Sequence, residues 1–390
     1  MSAPSHSLAK SLRYAIIGTG AIGGYYGARL QQAGCDVHFL LRSDYETVRS
    51  QGLRIESVDG DFTLPAVKAY LRPADMPPVD VAIVALKTTQ NDQIHSLLPQ
   101  IKSTGAILSF QNGFAVEPYI EYVLKKENGK QEKEKSQKEE TRTEEMRKEK
   151  EQNVELVSER QQVKQGFLPT ILGGLCFICA NKVGPGHIRH LDFGRLIIGG
   201  HNTDGRRYEP TPLMTTIAAD FNRAKIPTEL TDDLPMARWR KLVWNVPFNG
   251  LSVVLNATTA EMMADEGVRS LIQTLMEEVV AIANAWGEKK STPSSTHTDL
   301  SPVSDRSGRS LAADIVDKML AHTETMPPYL TSMKIDYDAK RPLELTAILG
   351  APLSSAKALR VHVPHMNMLY QQLIFLNISN TNADGITGKM

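Results

Sequence analysis

The sequence predicts an α/β first half, a parallel sheet with helices on both faces, followed by an all-helical second half. Two observations carry this. From Tyr14 to Phe110, short apolar runs that end in turn residues alternate with helix-length segments, the pattern of βαβ units. After Thr231 the strand-like runs vanish, and only helix-length amphipathic or apolar segments remain. The length of 390 residues suits about two such domains.

Tyr14-Ala15-Ile16-Ile17 reads as a buried strand that stops at glycine, and Ala21 to Ala33 as a helix closed by Gly34. Further strands are expected over Asp36–Leu41, Val79–Leu86 and Ala106–Phe110, with a helical stretch around Gln93–Ile101. Ile171–Ala180 reads as a strand, and Gly186–Gly200 as a hairpin turning near Asp192–Gly194. Pro235–Leu255, Val268–Trp286, Leu311–Ala321 and Lys357–Leu376 are the expected helices of the second half. Two segments cannot contribute a core. Residues 125–165 are mostly Lys, Glu, Arg and Gln, and residues 287–308 are rich in Ser, Thr and Pro. The expected organisation is a flexible leader over 1–13, a dinucleotide-binding domain over 14–231 and a helical substrate domain over 232–390.

Composition excludes several classes. The 44 basic and 44 acidic side chains cancel, so no net field draws the chain to nucleic acid. No apolar run approaches the roughly 20 residues that cross a bilayer. Three cysteines make no disulfide framework, which fits a reducing compartment and a cytoplasmic protein. The acid-free leader, with its serines, leaves organellar targeting open. Cys176-x-x-Cys179 would sit on a strand with thiols on opposite faces. His187-x-x-His190 and His362-x-x-His365 lack companion ligands, so no metal site is expected.

Gly18-Thr19-Gly20-Ala21-Ile22-Gly23 fits G-x-G-x-x-G directly between a strand and a helix, the context of a Rossmann-type nucleotide site. The first glycine permits the turn, the second lets backbone approach a pyrophosphate, and the third allows close helix–strand packing. The second strand ends Leu41-Arg42-Ser43, offering a guanidinium before any carboxylate. Arginine suits a ribose 2′-phosphate, so NADP is favoured over NAD, although Asp44 is near. Lys87 and Asn112-Gly113 follow later strands at the same carboxyl edge. In the second half, Lys241, Asn245 and Asn249 recur every four residues and form one polar column on an otherwise apolar helix. Pro247 lies inside that column and should kink the helix. One lysine with two amides suits a small, oxygen-rich substrate; a buried polar spine between helices is the plainer alternative.

These segments resemble, in order, the ketopantoate reductase family of NADPH-dependent enzymes. The matching pieces are the glycine turn, Leu41-Arg42, Leu86-Lys87, Gln111-Asn112-Gly113, Trp239-Arg240-Lys241-Leu242-Val243-Trp244-Asn245 with Pro247-Phe248-Asn249, Ser332-Met333 and Arg341-Pro342-Leu343-Glu344. The resemblance implies reduction of the C2 ketone of 2-dehydropantoate to pantoate, with Lys241 as general acid and Glu344 orienting substrate or cofactor. It implies substrate contacts from Asn245, Asn249 and Ser332, and contacts from Asn112 to both substrate and cofactor. It also implies cofactor contacts from the Gly18–Gly23 turn, from Arg42 and Lys87 at the 2′-phosphate end, and from the backbone at Ala180 or its neighbour Asn181. Thr259 stands where the family often has asparagine, and Leu343 where threonine is commoner. Thr259 keeps another small 2-oxoacid open as substrate, and a non-catalytic NADP-binding sensor is the reading from a different class. The expected protein acts on a small 2-oxoacid, as a monomer or homodimer, with no nucleic-acid or membrane partner.

Overall fold

The computed structural model describes residues 12–129, 168–291 and 309–386. In chain order the first half comprises β1 (Arg13–Ile17), α1 (Ala21–Gln32), β2 (Asp36–Leu40), α2 (Tyr45–Gln51), β3 (Leu53–Ser57), β4 (Phe62–Leu64), β5 (Lys68–Tyr70) and β6 (Val79–Val84). There follow a 3₁₀ stretch (Thr88–Gln93), α3 (Ile94–Leu97), β7 (Ile101–Ser109), α4 (residues 116–129), β8 (Thr170–Gly184), β9 (His187–Gly200), α5 (Pro212–Arg223) and β10 (Thr228–Thr231). The strands form one sheet in the order β4-β3-β9-β8-β7-β6-β1-β2-β5, with β10 added beside β9. From β5 to β8 every pairing is parallel. The apolar runs are nearly continuous because both faces are covered. Tyr14, Ile16, Val81 and Ile83 enter one buried cluster, and Ala15, Ile17, Ala82 and Val84 enter another. That is the alternation of a strand.

β8 runs well past its last partner in β7, the Gly173–Ser109 pair, and continues to Gly184 against antiparallel β9. This β8–β9 arm, with β3 paired to the start of β9, extends past the carboxyl edge of the parallel strands.

The second half is helical, as expected: α6 (Leu234–Val254), α7 (Thr259–Ala264), α8 (Glu266–Ser291), α9 (Ile315–Glu324), α10 (Ser332–Asp338), a π-helical turn (Thr346–Gly350), α11 (Ala351–Leu359) and α12 (Pro364–Ile386). The Asp233 carboxylate accepts from the Met236 N–H at 3.2 Å, and Pro235 sits in the first turn, which together set the start of α6. Trp239, Leu242, Val243 and Val246 of α6 pack with Ile272, Leu275, Met276 and Val279 of α8 in a separate buried cluster. The helix continues through Pro247 to Val254. Among the described residues no helix is long and apolar enough to cross a membrane.

Three expectations need correction. The hairpin does not turn at Asp192–Gly194. It turns at Pro185–Gly186, between β8 and β9, and β9 continues through the predicted turn. Phe193 (φ 62°) and Gly194 (φ 127°) form a bulge there, where the register against β8 shifts. The His190 ring lies beneath it, with Nε2 at 3.0 Å from the carbonyls of both Asp192 and Phe193. Both sites carry turn-forming residues, but β8 is long enough to pair with β9 on either side of the second. The Lys357–Leu376 helix is two helices: α11 ends at a left-handed Arg360 (φ 57°) and α12 begins at Pro364. The Gln93–Ile101 helix is a single turn, α3, after a 3₁₀ stretch; Pro99 stops it. The 1–13 leader and the two low-complexity segments fall mostly outside the described residues; residues 125–129 finish α4 and 287–291 finish α8.

Candidate active site

A cavity of about 1570 Å³ opens where the carboxyl edge of the sheet meets α6, with the β8–β9 arm as one wall. Open α/β sheets bind ligands at this edge. Gly18, Gly20, Ala21 and Ile22 line its floor. Gly18 has φ 95°, and a Cβ there would meet the Leu86 backbone at 2.9 Å. A Cβ on Gly23 would lie 2.2 Å from the Gly18 carbonyl, so that glycine serves the packing of α1 on the turn. A Cβ on Gly20 would meet no protein atom within 4 Å, yet it would project at the cavity floor. No side chain caps α1 and no acid lies in its first turn, so its opening N–H groups are available to an anion. The floor therefore fits a dinucleotide pyrophosphate. Thr19 is outside the lining; its hydroxyl donates to the Leu40 carbonyl at 3.0 Å and ties the turn to β2.

At the end of β2, Arg42 is exposed and outside the cavity lining. Asp44 is buried and already engaged: Lys182 donates to it at 2.7 Å, the Gly186 N–H at 3.0 Å and the Ser43 hydroxyl at 2.9 Å. The carboxylate that could have held a ribose hydroxyl is thus turned into the β8–β9 arm, leaving the guanidinium at the edge.

The polar column of α6 faces the cavity from the other side, and its members differ. The Lys241 ammonium donates to Asn112 Oδ1 at 2.7 Å and to the Cys176 carbonyl at 2.6 Å, and lies 5.3 Å from the centre of the Phe177 ring. Burial lowers its pKa to about 8. Asn245 is buried at the cavity wall, with no hydrogen bond from its side chain to protein among the described residues. Asn249 is a strut as well as a lining residue. Its amide donates to the Asn245 carbonyl at 3.0 Å and accepts from the Met333 N–H at 3.3 Å and the Ser332 hydroxyl at 3.5 Å, tying α6 to the start of α10. Ser332 itself lines the cavity, as do Asn112, Ala180 and Asn181.

The models named Ketopantoate reductase PanE/ApbA and Ketopantoate reductase PanE/ApbA C terminal match residues 14–131 and 233–377. A 2-dehydropantoate 2-reductase of Nostoc sp. is 44% identical over 369 residues, covering 94% of this chain and 96% of that protein. The chain belongs to the ketopantoate reductase family. The crystal structure of a 2-dehydropantoate 2-reductase from Geobacter metallireducens GS-15 superposes with a TM-score of 0.73 at 34% identity, over 94% of this chain and 99% of that one. One from Methylococcus capsulatus gives 0.72 at 28%, over 95% and 98%.

Within the ketopantoate reductase frame, Lys87 and Glu344 meet each other. Lys87 lines the cavity, but its ammonium bridges to Asp336 at 2.7 Å and Glu344 at 3.4 Å across the junction of the two halves. Burial disfavours its charge, yet the two carboxylates outweigh that and hold its pKa above the ordinary value. Glu344 is outside the lining, and also accepts from the Thr88 N–H at 2.8 Å and hydroxyl at 3.0 Å. Thr259 is buried behind the wall, where its hydroxyl accepts from the N–H of Tyr329, a lining residue, at 3.2 Å. Sequence reasoning missed Asp336, the Cys176 carbonyl and Arg238. Asp336 lies one helical turn after Ser332 and Arg238 one turn before Lys241, so face periodicity could have flagged both. The carbonyl carries no sequence signal. It also missed Phe193 and His322, whose rings stand 5.9 Å apart, one from each half, both lining the cavity.

Proposed function

We propose that this chain reduces 2-dehydropantoate to pantoate with NADPH, the ketoacid reduction on the route to pantothenate. The observation that carries it is the Lys241 ammonium, held between Asn112 and the Cys176 carbonyl in a cavity whose floor is the glycine turn. Residues 14–231 act as the cofactor domain and 232–390 as the substrate domain.

The Gly18–Gly23 turn and the uncapped start of α1 hold the pyrophosphate, and Arg42 pairs with the 2′-phosphate. When bound, the nicotinamide supplies a hydride to the substrate C2. Lys241 stabilises the oxygen as negative charge develops there and then protonates it. Its two acceptors leave the third ammonium proton to point at that oxygen. Asn112 fixes the ammonium, and Asn245 and Ser332 bind the polar groups of the substrate. Glu344 acts through Lys87 and Thr88, which it orders, and its charge opposes the lowering of the Lys241 pKa.

The test is oxidation of NADPH by the purified protein with ketopantoate, repeated with NADH and with a panel of small 2-oxoacids. Ketopantoate and NADPH should give the highest kcat/KM. Tight NADPH binding without turnover on any oxoacid would overturn the reading in favour of a sensor. The Thr259–Tyr329 contact supports a second reading, another small 2-oxoacid, because that residue could reshape the wall through Tyr329. A panel member exceeding ketopantoate would establish it.

A further inference from the structure

Arg238 and Glu117 form a buried ion pair that the mechanism above leaves unused; they are 4% and 2% exposed. Arg238 lies one turn before Lys241 on α6, and Glu117 lies on α4. The guanidinium Nε donates to Glu117 Oε2 at 2.8 Å, and Nη2 donates to Oε1. The remaining edge is spent elsewhere: Nη1 donates to the Gln111 carbonyl at 3.0 Å and the Gly113 carbonyl at 3.2 Å. Those two carbonyls flank Asn112, whose side chain holds the Lys241 ammonium. The loop also packs closely against the π-helical turn, where the Phe114 N–H donates to the Ala347 carbonyl at 2.8 Å. Gly113 has φ 106°, and a Cβ there would lie 2.5 Å from the Ala347 carbonyl.

A buried ion pair is weak evidence for stability, since packed apolar side chains of the same volume often do as well. Apolar side chains cannot reach two carbonyls from one rigid fork, and that is the part arginine adds.

We propose that Arg238, locked in place by Glu117, is a positioning residue for the reduction: it fixes the Gln111–Gly113 loop so that Asn112 aims the Lys241 ammonium at the reacting carbonyl. This rests on Lys241 being the proton donor. The ionisable groups that face Lys241 are Arg238 from its own helix, the Cys176 thiol from β8 and Glu344 from the segment after α10. Beside burial, the dominant effect, Arg238 helps keep the Lys241 pKa low, while Cys176 and Glu344 oppose it.

Two full-chain variants separate the roles: Arg238→Lys, which keeps the charge and loses the fork, and the double variant R238M/E117Q, which removes both charges. Each is measured for kcat and KM with ketopantoate and NADPH, for NADPH affinity by fluorescence and for thermal midpoint. The Lys241 titration is followed by NMR of protein labelled with ¹³C at lysine Cε, its signal identified by absence in Lys241→Arg. Arg238→Lys should lower kcat about 10–100-fold, the scale of a misplaced catalytic group, with NADPH affinity and the Lys241 titration near wild type. The double variant should lower kcat comparably and move the Lys241 titration upward. If the double variant does not fold, Arg238→Lys decides alone. A folded Arg238→Lys protein with wild-type kcat overturns the proposal, as does a loss carried entirely in the KM for NADPH. Failure of the functional reading looks different. Wild type then turns over no oxoacid, and the Lys241 signal still judges the coupling: an unchanged shift and titration in the folded double variant overturns it.

Discussion

The lowered pKa of Lys241 makes a pH profile the sharpest test of its role as proton donor. With a pKa of about 8, about nine-tenths of the enzyme carries the donor proton at pH 7 and about one-tenth at pH 9. Reduction by NADPH should therefore fall roughly tenfold in kcat/KM between those values, because only the ammonium can protonate the new alkoxide. An ordinary lysine, near 10.4, would lose only about 4% over the same window. The reverse reaction, pantoate oxidation with NADP⁺, needs the neutral amine and should rise across the same range. Unfolding does not supply the fall. A depressed lysine pKa means that the unfolded chain binds more protons between about pH 8 and 10.5, so this group makes stability rise with pH there. The assay is the absorbance of NADPH at saturating cofactor and low ketopantoate, from pH 6 to 10. A reduction profile flat to pH 9.5 would refute the assignment of Lys241, the lowering of its pKa, or both; NMR titration of its side chain separates the two.

Lys241→Ala should lower kcat by about 10²–10⁴ while NADPH affinity, read by fluorescence, stays near wild type. Arg42→Ala should shrink the preference for NADPH over NADH by about 10–100-fold, the scale of charge-assisted bonds to phosphate; an unchanged ratio means that another group reads the phosphate. Gly20→Ala should leave the thermal midpoint unchanged and weaken NADPH binding, whereas Gly23→Ala, with its Cβ driven against the Gly18 carbonyl, should lower the midpoint too. Asn245→Ala should act mainly on the KM for the oxoacid, and Asn249→Ala should also lower the thermal midpoint because it cuts the tie between α6 and α10.

What sequence made legible was local. The glycine turn declares itself because strand, turn and helix are contiguous, and the α6 column because a helix brings every fourth residue to one face. What it hid depends on distance along the chain. Glu117 and Arg238 are 121 positions apart, and nothing at either position names the other. The strands β4 and β5 escaped because three residues carry almost no period; α5 is as long as α1 and escaped although Thr211 before Pro212 marks its start. The plainer reading of the polar column has a share of the truth as well. Asn249 is partly the spine between helices, while Lys241 and Asn245 face the cavity.

The overhanging arm of β8 has a consequence for what the pocket will accept. At its near end the Cys176 carbonyl grips Lys241, and at its far end Lys182 draws Asp44 out of the way at the tip of β2. At about 3.3 Å per residue the stretch between them runs up to roughly 20 Å. One strand thus works as a gauge, holding the Lys241 ammonium at one end and the Asp44 carboxylate at the other. A one-residue slip in β8 would spoil both at once, so cofactor choice and acid chemistry in this chain should be lost or kept together.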